Sequence, residues 1–475
     1  MTYEDIKQHA LEAEKVWGEA YDILWPLINK KKLRHGAEIG VAFGGHAERI
    51  LSRTGATLFC IDPYKHFDNY DDAMNVSNAE FNRLYNFTKN RLQKYGKRVV
   101  FVRKSSQHAA ISIKTHLDFV YIDGDHSESG IKDDLLNWFP KIADGGIIAG
   151  HDYGHPNFPG VKKIIDQFFG RFNWKIHTYP SGVWWVEKKF LNISYIMPAY
   201  NCEKTITSSV DSIYKSNFVK GDELIIVNDV SSDSTLTLIT KLSKKYINLK
   251  VITPKHHLGG GGARNLGVEN TKNELIFCLD SDNILERSSI KHLKKTLTST
   301  LFDIVSFERL KYFKKSIKAV DHEWRFELSS YDSSNYLASQ KVPGASGNYL
   351  YTKKSWIQSG GYPVESAALD TWGFGLRQVM TGHLMTVVPD TYYYHRYGYN
   401  SYWVRESQKH NISLRATQLL IPYFNRIESK DIDYLLSKNH RHTWFDTLDI
   451  HPIKYQAARK INLLTKIIKK IEAFL

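Results

Sequence analysis

Short apolar runs alternate with longer helical patterns twice along this chain, and that repeated rhythm restricts its fold more than any other feature. The first series reads GAEIGVAF, ATLFCID, RVVFVR, LDFVYIDGD and GGIIAGHD, and the second NISYIMPAY, DELIIVND, LKVITP and ELIFCLDSD. Such runs, bounded by turn residues and separated by amphipathic stretches, are the sequence form of parallel strands joined by crossover helices. An amphipathic helical stretch over 4–32 precedes the first series. The restart after GVWWVEKKF follows a complete set of strands and predicts a boundary near 188–191, with no Gly/Ser or Pro-rich linker. The expected fold class is α/β: domains at 1–189 and 190–425, then a helical extension over 426–475.

A length of 475 residues holds two such domains, and 42% hydrophobic residues supply their cores, which excludes wholesale disorder. No stretch reaches the roughly 18 uninterrupted apolar residues of a spanning helix, and the start lacks a secretory pattern. The three cysteines, Cys60, Cys202 and Cys278, cannot form a disulfide framework, which fits a reducing, cytoplasmic location. The net charge of +14 invites a nucleic-acid reading, but no RNP, zinc-finger or helix-turn-helix signature accompanies it, so no nucleic-acid partner is expected. In the tail, Ile461, Leu464, Ile468, Ile471 and Leu475 share one helical face, with Lys466, Lys469 and Lys470 away from it. A basic amphipathic helix of this kind suits peripheral contact with an anionic membrane, or packing on the body of the protein.

In the first half, GAEIGVAFGGH places Glu38 on a strand and Gly40 in a tight turn, and Asp62 ends the next strand 22 residues after Gly40. An acid there can accept hydrogen bonds from ribose hydroxyls, and the absence of Gly-x-Gly-x-x-Gly counts against NAD. Asp123, Asp125 and His126 follow one strand and His151 and Asp152 the next, so both clusters face one crevice. The run IDGDH…GGIIAGHDY resembles the class I S-adenosylmethionine-dependent methyltransferases, in the branch of small sugar and macrolide O-methyltransferases, over residues 36–187. The resemblance implies that Glu38 and Gly40 lie against S-adenosylmethionine, that Asp62 binds its ribose and that Ser106 borders the adenine. It also implies a divalent ion on Asp123 and Asp152, with Asp125 a weaker candidate, and His126 or His151 taking the proton of a substrate hydroxyl. The bland alternative is that these acids cap helices and pair with lysines.

In the second half, Pro198 and Tyr200 follow a strand, Asp229 ends the next, a glycine run precedes Arg264, and Asp280 and Asp282 flank one residue at a strand end. Two carboxylates so placed suit Mn²⁺ or Mg²⁺ carrying phosphate oxygens. Together these signals resemble the family-2 glycosyltransferases of the GT-A fold over roughly 192–405, which invert at the sugar carbon. The resemblance places Pro198, Tyr200 and Asp229 around the base and ribose of a nucleotide-sugar and Arg264 near the donor. It puts Asp280 on ribose or sugar, and Asp282 on the metal with His395 as a further ligand. It gives the catalytic base to Asp370, with Glu365 as understudy. The family carries two acids where this chain has one beside Thr371.

The expectation is therefore two Rossmann-like domains, a methyltransferase fold and then a GT-A fold. They would form a bifunctional glycan-modifying enzyme acting on a glycan or lipid-linked saccharide acceptor in surface polysaccharide synthesis, at the cytosolic face of a membrane. The rivals are a glycosyltransferase with a silent methyltransferase module, and a non-catalytic glycan-binding protein.

Overall fold

The structure, a computed structural model, describes residues 3–16, 18, 22–68, 75–216, 218–337, 347–398 and 412–426. The expected basic helix within 426–475 lies outside the described residues. The chain divides into two compact units, Met1–Phe190 and Leu191–Leu475. Each is a mixed α/β unit built on one sheet in which parallel pairing predominates among the central strands.

The strands of the first unit are β1 His35–Ile39, β2 Thr57–Ile61, β3 Val99–Val102, β4 Leu117–Ile122, β5 Ile142–Gly150, β6 His177–Thr178 and β7 Trp184–Glu187. They lie in the order β3-β2-β1-β4-β5-β7-β6. The first five are mutually parallel, and β7 runs antiparallel to both β5 and β6. Helices cover both faces of such a sheet, so its inner strands read as continuous apolar runs. In β4, LDFVYI, every residue but Asp118 is buried. Leu58, Phe119, Tyr121 and Ile147 pack with Leu24, Ile28, Ile50 and Leu51 into one core. Among the described residues the stretch over 4–32 carries the helices Tyr3–Val16 and Leu24–Lys31. Pro26 sits in the first turn of the second of these, where its missing N–H would be unpaired in any case.

The second unit has β8 Ile193–Ala199, β9 Glu223–Asn228, β10 Leu249–Ile252, β11 Leu275–Cys278, β12 Ile284–Leu285, β13 Ile304–Phe313, β14 His322–Arg325, β15 Ser330–Tyr331, β16 Tyr349–Thr352 and β17 Met385–Arg396. The order is β10-β9-β8-β11-β16-β13-β17-β12, with β14 paired to β13 and β15 to β17. The first four are parallel, and β16 is antiparallel to both of its neighbours. All six residues of β9 are buried.

Both sheets reverse their strand order once near the middle. The chain steps outward from β1 to β3 and returns on the other side of β1 with β4. It repeats the manoeuvre from β8 to β10 and returns with β11. A crevice opens above the carboxyl ends of the strands at such a reversal, and open α/β sheets bind ligands there.

Candidate functional site

At the first reversal Gly40 follows β1 with φ at +84°, and a Cβ there would fall 2.0 Å from the carbonyl oxygen of Asp123. Glycine alone lets the turn after β1 lie against the loop after β4. Glu38, buried on β1, pairs with buried His46 (3.3 Å), and burial raises its carboxyl against the pull of that imidazole. Asp62 accepts the N–H groups of Tyr64 (2.8 Å) and Ala42 (3.0 Å), and each oxygen keeps a lone pair for a hydroxyl. Burial raises its carboxyl and those N–H groups oppose the rise. Ser106 opens the helix Ser106–Ser112; its hydroxyl donates to Asp134 and accepts from Trp138 Nε1 at 2.8 Å. Burial pushes the Asp134 carboxyl up to about 7.

Asp123 leaves β4 and Asp152 leaves β5, and His126 stands between them. Its Nε2 is 3.3 Å from Asp123 Oδ1 and 3.2 Å from Asp152 Oδ2. Among the described residues this is the one group of three such side chains whose ligand atoms all lie within 4.8 Å of one another. Two carboxylates and an imidazole suit a hard divalent ion. His126, expected as a proton acceptor, thus stands where a third ligand would. His151 Nδ1 lies 3.0 Å from Asp152 Oδ1. Burial pulls the His151 imidazole down, but the bond to Asp152 and the charge of Asp123 outweigh it and raise the pKa. Burial likewise lifts Asp152, and His151, with smaller pulls from His126 and His155, brings it below its ordinary value. Asp125 instead accepts the Ser127 N–H (2.9 Å) in the turn that opens the helix Glu128–Trp138.

At the second reversal Tyr200, exposed beyond half-buried Pro198, stacks at a tilt on His257 with ring centres 4.6 Å apart. Asp229 is buried and accepts the N–H groups of Leu258 (2.7 Å) and Gly259 (2.9 Å) and the ring of His257 (2.9 Å). It therefore fastens the start of the helix Gly259–Glu269, which carries Arg264. Buried Arg264 donates through Nη2 to Asp280 at 2.6 Å and through Nη1 to Asp370, the first residue of the helix Asp370–Met380. Burial raises the Asp370 carboxyl, Arg264 lowers it and Asp280 raises it. Asn348 accepts the Asp280 N–H (2.9 Å) and donates to its carboxylate (3.2 Å). Glu365 is exposed.

Burial, reinforced by Asp280, pushes Asp282 up to about 7. Strand β12 follows Asp282 and pairs with β17, Ile284 opposite Tyr394, which brings the acid's segment beside His395. Burial pushes the His395 imidazole down to about 4, so it is neutral, and its buried Nδ1 has no hydrogen-bond partner. Asp280, Asp282 and His395 do not meet the 4.8 Å spacing that the first cluster does.

Sequence reasoning overlooked His46, Asp134, His257 and Asn348. His46 and His257 border glycine runs, which was a usable signal; nothing in the pattern marks Asp134 or Asn348.

Residues 37–153 match the family model described as a methyltransferase domain, and residues 194–360 match that of glycosyl transferase family 2. A 103-residue stretch is 35% identical to the poly(ribitol-phosphate) beta-N-acetylglucosaminyltransferase TarS of Staphylococcus aureus, covering 21% of this chain and 18% of that protein. Another match is 38% identical over 97 residues to the poly(ribitol-phosphate) beta-glucosyltransferase of Bacillus spizizenii, covering 20% of this chain and 15% of that one. WfgD of Escherichia coli, a UDP-Glc:alpha-D-GlcNAc-diphosphoundecaprenol beta-1,3-glucosyltransferase, is 37% identical over 92 residues, 19% of this chain and 35% of that one. The chain thus spans a minor part of each of these relatives. The crystal structure of S. aureus TarS 1-349 with UDP-GlcNAc superposes at a TM-score of 0.45 and 20% identity, over 57% of this chain and 80% of that one. No described helix is long and apolar enough to cross a membrane.

Proposed function

We propose that the chain is a bifunctional glycan-modifying enzyme whose second unit transfers a sugar from a nucleotide-sugar and whose first unit O-methylates a glycan. The observation that carries this reading is the buried Asp280–Arg264–Asp370 chain at the β8/β11 reversal, with Asp282 and the unpartnered nitrogen of His395 nearby.

A divalent ion fits Asp282 and His395: the imidazole is neutral with an orphaned nitrogen, and a carboxyl raised by burial regains its charge opposite a cation. Bound there, Mn²⁺ or Mg²⁺ would offset negative charge on the departing diphosphate. Pro198, Tyr200 and Asp229 flank the nucleoside, and Asp280 and Arg264 face the donor. Asp370 takes the proton of the acceptor hydroxyl once its ion pair with Arg264 loosens, a role that contributes about 10²–10⁴-fold. In the first unit Glu38, Gly40, Asp62 and Ser106 hold S-adenosylmethionine. Mg²⁺ or Mn²⁺ on Asp123, His126 and Asp152 would make a substrate hydroxyl more acidic. His151 accepts that proton.

The acceptor is a glycan or lipid-linked saccharide, and the setting is surface polysaccharide synthesis at the cytosolic face of a membrane. The relatives that act on poly(ribitol-phosphate) and on a diphosphoundecaprenol-linked sugar support this choice of acceptor. The test is thermal stability with S-adenosylhomocysteine, with UDP or GDP plus Mn²⁺, and with both. A ligand at about 100 times its Kd stabilises its folded target by roughly 2.7 kcal/mol. Separate shifts, the nucleotide's abolished by EDTA, support two working sites; a nucleotide shift alone leaves the first unit a silent module. Thr371, where the family offers a second acid, and the ion pair on Asp370 favour a non-catalytic glycan-binding protein as the second reading. Turnover of any nucleotide-sugar refutes it.

A further inference from the structure

Strands β13 and β14 form a hairpin, Tyr312 opposite His322, whose connection runs over residues 314–321. At its apex the N–H groups of Ala319 and Lys318 donate to Ser316, to the carbonyl at 3.0 Å and to the hydroxyl at 3.3 Å. Ile317 lies within this turn. Ile317 and Val320 are 40% and 42% exposed, and Lys314, Lys315 and Lys318 around them are exposed as well.

These lysines differ from the cations farther down the hairpin. Arg309 and Arg325 pair with Glu308 and Glu323, and Lys311 lies 3.7 Å over the Tyr392 ring. Lys314, Lys315 and Lys318 form no ion pair among the described residues. The one acid at the tip, Asp321, lies close enough to the Tyr397 hydroxyl to raise its pKa. The tip therefore presents three lysines against one acid around two partly exposed aliphatic side chains.

We propose that this hairpin tip docks the protein on an anionic lipid surface, the lysines meeting the headgroups while Ile317 and Val320 enter the boundary with the acyl chains. Lysines near an anionic leaflet attract it, and apolar side chains among them add burial that a dissolved polyanion cannot supply. The site is separate from the tail helix expected from sequence, and the contact does not depend on the glycosyl-transfer reading. Its consequence does: Tyr312 pairs with His395 across β13 and β17, so the docked tip would set the proposed metal edge beside lipid-linked acceptors.

The test uses the full chain with Cys202→Ser and Ile317→Cys, labelled at the introduced thiol with an environment-sensitive dye; the two remaining cysteines are buried. On vesicles of phosphatidylglycerol and phosphatidylcholine the emission should shift to the blue and be quenched by brominated acyl chains, and pure phosphatidylcholine should do neither. The triple variant Lys314→Glu/Lys315→Glu/Lys318→Glu, with an unchanged melting temperature, should bind the anionic vesicles about tenfold or more weakly. Ile317→Ser/Val320→Ser should weaken vesicle binding and leave binding of soluble polyphosphate unchanged. A dye that stays in water while the protein sediments with vesicles, or a triple variant that binds like the parent, overturns the proposal. So does a blue shift with polyphosphate and none with vesicles.

Discussion

Asp370 and Asp280 share one guanidinium: Arg264, buried on the glycine-rich helix, holds Asp370 106 residues away and Asp280 16 residues away. Removing the cation leaves two carboxylates facing each other, Asp370 buried and Asp280 partly exposed. Breaking a buried pair this way costs about 3–5 kcal/mol. Arg264→Met should therefore lower unfolding free energy by about that amount in guanidinium titrations. Arg264→Met/Asp370→Asn should lose less than the sum of the single changes, because the second substitution removes one stranded charge. Strict additivity would show that the pair is not coupled.

Gly40→Ala meets both a left-handed backbone and the Asp123 carbonyl at 2.0 Å. Backbone has to move, at a cost of about 3 kcal/mol or more. The variant should lose S-adenosylhomocysteine binding by calorimetry and keep UDP binding, because the displaced loops belong to the first unit alone.

Asp134 makes stability depend on pH in a defined direction. Its carboxyl titrates near 3.9 in the unfolded chain and about 7 in the fold. Between those values the folded chain keeps a proton that the unfolded chain has released, so stability falls as pH rises from about 4 to about 7 and is level on either side. Against Asp134→Asn, the parent should gain roughly 2–3 kcal/mol on going from pH 8 to pH 5 in urea titrations. A constant difference across that range would sink the assignment.

Val230 follows Asp229 with φ at +59°, a left-handed conformation that a β-branched residue adopts only under strain. Val230→Gly relieves a penalty of about 1–2 kcal/mol and adds unfolded-state entropy worth about half of it. The melting temperature should rise by a few degrees. Because the side chain is 41% exposed, little packing is lost.

His395→Ala should weaken binding of UDP with Mn²⁺ by tenfold or more and leave the metal-free affinity alone. Equal losses with and without metal would make His395 a packed histidine among tyrosines.

The sheets were legible in the sequence because strand-end chemistry repeats with the strands: Asp62, Asp123, Asp152, Asp229 and Asp280 each close an apolar run, and each stands at the carboxyl end of a strand. What was not legible is ring direction and long-range partnership. His126 looked like a proton acceptor because spacing cannot show a ring turned between two carboxylates. Arg264 and Asp370 were assigned separate duties because no local pattern joins residues so far apart.

Strand β7 has a consequence for how the first unit is made. It sits between β5 and β6, and the loop before it supplies the Gly182 carbonyl that accepts the Tyr153 N–H at 2.9 Å, beside Asp152. During synthesis the amino-terminal residues emerge first, at about 5–20 residues per second. Strands β1 to β4 can pair with each other while the ribosome is still adding β5. The support beneath Asp152 arrives only with residues 179–187, the last of the unit to be translated. A nascent chain stalled before Trp184 would present the Gly40 turn and Asp62 but an unbraced Asp152, so the crevice at β1 forms early and the acid–histidine cluster is completed late.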